Sequence, residues 1–103
     1  MGFSIQLLDE RGGIQEEIVD EQDRLPHLVH SVPEFESTHC LQYMNPYGDT
    51  VFNTLQMSRF LKEWTMVKAQ AATPEEKEIV QEVRRLAVLC EKANHLYLKF
   101  WGD

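Results

Sequence analysis

Apolar and polar residues alternate from the start of the chain. Phe3, Ile5 and Leu7 are separated by Ser4 and Gln6, the two-residue period of a strand with one buried face. Asp9-Glu10-Arg11-Gly12-Gly13 supplies the polar and freely turning residues of a hairpin connection. Ile14 to Val19 reads as the returning strand, held to a sheet edge by Glu16 and Glu17. Asp20 to Val32 fits either a short helix after Pro26 or an irregular crossing, and Pro33 ends it in both cases. Thr38 to Met44 reads as a third strand, bounded by the turn Asn45-Pro46-Tyr47-Gly48.

In the second half the period lengthens to that of a helix. Asp49 or Thr50 is the expected cap of a helix with apolar positions Phe52, Leu55, Phe60, Leu61, Trp64, Val67 and Ala71. A second helix starts at Thr73-Pro74-Glu75-Glu76, which combines a capping hydroxyl, a proline at the first helical position and a glutamate able to reach back. Its stripe runs Ile79, Val80, Val83, Leu86, Ala87, Cys90, Ala93, and so short a link makes the two helices antiparallel neighbours. His95 to Trp101 alternates again and is read as a final strand antiparallel to the third, although a helical continuation fits Ala93, Tyr97 and Phe100. The expected fold is α+β: an antiparallel sheet of about four strands packed on one face by an antiparallel two-helix hairpin, as one domain over residues 1–103.

Charge changes this picture in one respect. The net charge is −7, and residues 1–49 carry ten acids against Arg11 and Arg24, while the remainder is close to neutral. An acidic half repels phosphate backbones and argues against nucleic-acid binding, and the same field attracts a basic protein. No apolar run approaches the ~20 residues that span a bilayer. No export signal precedes the first charged residues, and Cys40 and Cys90, at no metal or redox spacing, read as buried thiols. Together these give a cytoplasmic expectation.

Few residues carry candidate chemistry. His27 and His30 share a helix face, and His39-Cys40 and His95 complete the residues from which a metal site would have to be drawn, but nothing in their spacing forces them together. No metal, cofactor or catalytic residue is assigned. The segment around the turn is richer, with Tyr43, Asn45, Tyr47, Asp49 and Asn53 at a strand-to-helix junction where backbone amides are left over to bind an anion or peptide group. Turn and capping chemistry, with Gly48 in the turn and Asp49 as the cap, accounts for the same residues. For protein contact the candidates are Glu16, Glu17, Asp20 and Glu21, as a negative strip, and Trp101, whose parity opposes that of Leu98 and Phe100 and leaves it available for a homodimer.

Asn45-Pro46-Tyr47-Gly48-Asp49-Thr50-Val51-Phe52-Asn53, Leu55-Gln56-Met57 and His95-Leu96-Tyr97-Leu98-Lys99-Phe100 resemble segments of small bacterial proteins of uncharacterised function. The resemblance implies no activity. The functional expectation is a non-enzymatic protein-interaction module with a basic partner, in the manner of an inhibitor or immunity protein. The alternative is a small-molecule or metal-dependent activity at the 43–53 loop with one or more histidines.

Overall fold

The computed structural model describes residues 3–45 and 47–102. Among them run β1 (Ser4–Leu8), β2 (Ile14–Val19), α1 (Arg24–His30), β3 (Asp49–Asn53), α2 (Thr54–Gln70), α3 (Pro74–Lys92) and β4 (Tyr97–Trp101). The fold is α+β, with one sheet in the order β2-β1-β4-β3 and every neighbouring pair antiparallel.

The opening hairpin forms as its residues dictate. The Asp9 carboxylate accepts from the backbone N–H groups of Arg11 (2.9 Å) and Gly13 (2.7 Å), and Gly12 takes the left-handed φ of 82° that glycine adopts without strain. β1 buries Ile5 and Leu7 against the helices and turns Ser4 and Gln6 the other way. On β2 the register slips by one residue: Leu7 pairs with Glu16 but Leu8 with Ile14. This bulge puts Ile14 on the face opposite Glu16, although a regular strand would align them.

The third strand is not where the alternation places it. Thr38–Met44 contains a 3-10 turn at Leu41–Tyr43, and β3 is Asp49–Asn53. Adjacent Cys40 and Leu41 are both buried, which strand alternation forbids. Their amides bond to the side chain of Glu63 instead of to a ladder. The start of α2 moves accordingly. Asp49 and Thr50 lie in β3, and the cap is Asn53, whose side chain accepts from Gln56 N–H (3.1 Å) while Gln56 Oε1 accepts from Asn53 N–H (2.8 Å). Phe52 is therefore core from a strand, Leu55 is 89% exposed, and Met57 takes the buried place. The region left open between Asp20 and Val32 contains α1, with Pro26 inside its first turn, where no N–H is required.

The helical hairpin forms as expected. Thr73 Oγ1 accepts from Glu76 N–H at 3.1 Å, and Glu76 Oε1 accepts from Ala72 and Thr73 at 2.8 and 3.0 Å. Trp64 Nε1 of α2 donates to the Val80 carbonyl of α3 at 2.9 Å. At the other end the Thr54 hydroxyl sits among the last carbonyls of α3, 2.6 Å from that of Ala93. These ties fix α2 and α3 antiparallel; the pair covers one sheet face, and α1 packs against both helices. Phe60 and Trp64 stack at 5.2 Å, and Phe100 and Phe52 of the sheet pack on Phe60 at 5.8 and 5.3 Å. Among the described residues no helix is long and apolar enough to cross a membrane.

Candidate functional site

The loop residues do not converge. Tyr43, Asn45 and Tyr47 lie before β3, whereas Asp49 and Asn53 sit at opposite ends of it, about 14 Å apart at strand rise. Their polar groups are engaged locally. Asn45 Oδ1 accepts from Tyr47 N–H (2.9 Å), Thr50 Oγ1 accepts from Asn45 N–H (3.1 Å) and donates to the Tyr43 carbonyl (3.2 Å), and Asn53 caps α2. Asp49 pairs with Lys99 on β4 at 3.5 Å. Gly48 closes the turn by donating to the Asn45 carbonyl, while Pro46 lies outside the described residues. Turn, strand and cap account for this segment.

The acidic strip also divides. Asp20 is only 2% exposed, and its carboxylate accepts from Arg24 N–H (3.0 Å) and Leu25 N–H (2.7 Å) at the start of α1. It caps a helix and is withdrawn from the surface, which corrects its place in the strip. Glu16 turns toward α3 and pairs with Arg85 at 2.7 Å, a guanidinium also shared with Glu82. Both contacts raise the Arg85 pKa. Glu17 stays on the sheet face, accepting from Gln6 Nε2 at 2.7 Å, and Glu21 is exposed.

The fold makes a stronger acidic feature than the strip. Between the end of β2, the start of α1 and the first half of α3 runs an open groove of about 420 Å³. Six acids border it against a single base, Arg24, but Asp20 is buried as a cap and the Glu17 side chain turns to the open sheet face, which leaves Glu21, Glu75, Glu78 and Glu82 to charge it. Ile18 and Ile79 give it an apolar floor. Among the described residues Glu21, Glu75 and Glu78 make no ion pair, so their charge is directed at solvent.

The chain matches no protein family, no curated protein and no solved structure. Function has to be read from these surfaces.

The remaining candidates are accounted for by the fold. Burial, then the neighbouring Glu63, pushes the Cys40 thiol from its ordinary 9.0 up to about 11, and burial also raises Cys90. An attacking thiolate needs the opposite setting. His30 Nδ1 lies 2.7 Å from the Pro26 carbonyl and its ring packs on Phe35, while His95 faces Glu10 at 3.5 Å. Among the described residues no three His, Cys, Asp or Glu side chains gather as metal ligands. Trp64 is core, and Trp101 is 51% exposed on the sheet face away from the helices.

Sequence reading missed half of the groove. Glu75, Glu78 and Glu82 belong to the half of the chain that is neutral in sum, where they read as a helix start suited to its dipole. Their spacing of three and four residues was the available signal, because it places them on one helix face.

Proposed function

We propose that this chain is a non-enzymatic protein-interaction module that holds a basic, partly apolar segment of another protein in the groove between β2, α1 and α3. The observation that carries the reading is the groove's composition, the acids Glu21, Glu75, Glu78 and Glu82 against one arginine around Ile18 and Ile79. Carboxylates on a concave wall concentrate negative potential and accelerate encounter with a cationic partner. The isoleucines then supply contact area that holds it. Masking a basic site on a target in this way is how an inhibitor or immunity protein acts, and with both thiols reduced and buried the setting is the cytoplasm.

The test is chemical-shift mapping with a synthetic peptide alternating Arg and Leu, at low and at physiological salt. Amides of Ile18, Glu21, Glu78 and Ile79 should shift together, with affinity falling as salt rises. Glu21→Gln with Glu78→Gln, which leaves the Asp20 cap intact, should weaken binding about tenfold and flatten the salt dependence. Shifts confined to another surface, or binding indifferent to salt and to the double variant, would overturn the proposal.

A further inference from the structure

The sheet face away from the helices carries apolar residues that no other described residue covers. Trp101, Val19, Val51 and Ile14 are each about half exposed there. Single exposed apolar side chains are ordinary, but these occur on one four-stranded surface.

We infer that this open face is the interface of a homodimer, two copies packing sheet on sheet about a twofold axis that runs along β1. The register shows why. Pairing aligns Val19, Ser4 and Trp101 in one row, Glu17, Gln6 and Lys99 in the next, and Ile14, Leu8 and Tyr97 in the third. Read along the strands, β2 presents aliphatic, acid, aliphatic, and β4 presents aromatic, base, aromatic, at the same heights. A twofold axis along β1 keeps heights and exchanges β2 with β4. Val19 then meets Trp101 of the second copy, Glu17 meets Lys99, Ile14 meets Tyr97, and Leu8 meets its own equivalent. The bulge at Gln15 contributes, because it turns Ile14 onto this face.

Side-chain positions agree with the register. Glu17 reaches Gln6 at 2.7 Å and Lys99 reaches Asp49 at 3.5 Å, so both charges lie on the open face. An axis across the strands instead would set Lys99 on Lys99 and Glu17 on Glu17, a like-charge contact that disfavours it. Such self-complementarity is what a twofold interface requires. Three overlapping strands about 4.8 Å apart with about 3.4 Å per residue give a face of about 250 Å² in projection per copy, well below the roughly 800 Å² per partner of a standard interface. The dimer is therefore a weak, reversible one.

Sedimentation velocity over a series from low micromolar to millimolar protein tests this. The wild type should pass from monomer to dimer, and Trp101→Ala, Glu17→Lys and Lys99→Glu should each weaken association at least tenfold while keeping the native circular dichroism spectrum. Mixing Glu17→Lys with Lys99→Glu should restore the dimer, because each lysine then faces a glutamate across the interface. A wild type that stays monomeric throughout the series would overturn the inference. So would a dimer indifferent to all three substitutions, or a mixture that fails to associate.

Discussion

Glu63 offers the sharpest test of how the chain between α1 and β3 is held. Its side chain is 5% exposed and leaves α2 on the buried stripe, between Phe60 and Val67. Oε2 accepts from His39 N–H at 2.6 Å, and Oε1 accepts from Cys40 and Leu41 N–H at 2.9 and 3.1 Å. One carboxylate thus satisfies three consecutive amides that would otherwise need a neighbouring strand. In Glu63→Ala, His39 N–H can turn to water, because His39 is exposed, but Cys40 and Leu41 are buried and their amides are left without partners. At about 1–3 kcal/mol for each such donor, plus lost side-chain packing, the expected cost is roughly 3–5 kcal/mol. That is a large share of the ~5–15 kcal/mol available to a small domain.

Glu63→Gln separates the role of the oxygens from that of shape. Its amide oxygen can still accept from Cys40 and Leu41, but its NH₂ must face the His39 N–H, donor against donor, so the expected cost is about 1.5–3 kcal/mol. Urea denaturation followed by tryptophan fluorescence reads both variants, since Trp64 is core. With an m-value of about 1.5 kcal/mol/M, the midpoint should fall by roughly 2–3 M for the alanine and about half that for the glutamine. Amide exchange at Cys40 and Leu41 should accelerate in the alanine variant while β1 and β4 change with global stability only. A glutamine variant as stable as the wild type, or an alanine variant within about 0.5 kcal/mol of it, would show that the carboxylate does not organise this segment.

Leu86→Ala removes a fully buried side chain from the centre of α3 and should cost roughly 2–5 kcal/mol by the same denaturation. Thr73→Ala should cost on the order of 1 kcal/mol and Thr73→Asp almost nothing, since either oxygen can accept from Glu76 N–H. The Glu76 carboxyl lies below its ordinary 4.5 chiefly because Ala72 and Thr73 donate to it. Its contribution is therefore complete above pH 4.5 and lost as pH falls through the lowered value, and Glu76→Gln should flatten that limb of the stability curve. With its pKa raised by burial, Cys40 holds stability below about 9 that is lost as pH climbs toward 11. At neutral pH, iodoacetamide should label it only once urea unfolds the protein.

How much of the fold the sequence reveals depends on whether the deciding partner is local. The two hairpins are local, and both are legible: Asp9 bonds within four residues, Thr73 within three. The third strand fails because its decisive partner is Glu63, more than twenty residues away, which captures the amides of 39–41. A carboxylate on an otherwise apolar stripe was the visible anomaly, and a buried charge needs hydrogen-bond donors. The misplaced start of α2 was avoidable. Asn53-Thr54-Leu55-Gln56 has the same capping-box spacing as Thr73 to Glu76, and Asn53 as cap frees Thr50 and Phe52 to alternate in a strand.

The candidate site was less legible, because charge counted along a chain is not charge presented by a surface. Of four acids expected to act as one strip, Asp20 is enclosed by the start of α1 and Glu16 is matched by Arg85, 69 residues away. The fold then replaces them from an unexpected source. α3 carries Glu75, Glu78 and Glu82 in its first turns and Arg84, Arg85 and Lys92 later, an order that suits the helix dipole and sums to little. Antiparallel packing of α3 on α2 brings the acidic end beside β2 and α1, so a neutral half of the sequence contributes three of the four acids that charge the groove. The segregation of charge within α3 is legible in sequence, and the packing direction follows from the short link at Ala71–Thr73. Only the position of Glu21 relative to that end required the structure, and that juxtaposition turns a solubilising surface into a directed negative field.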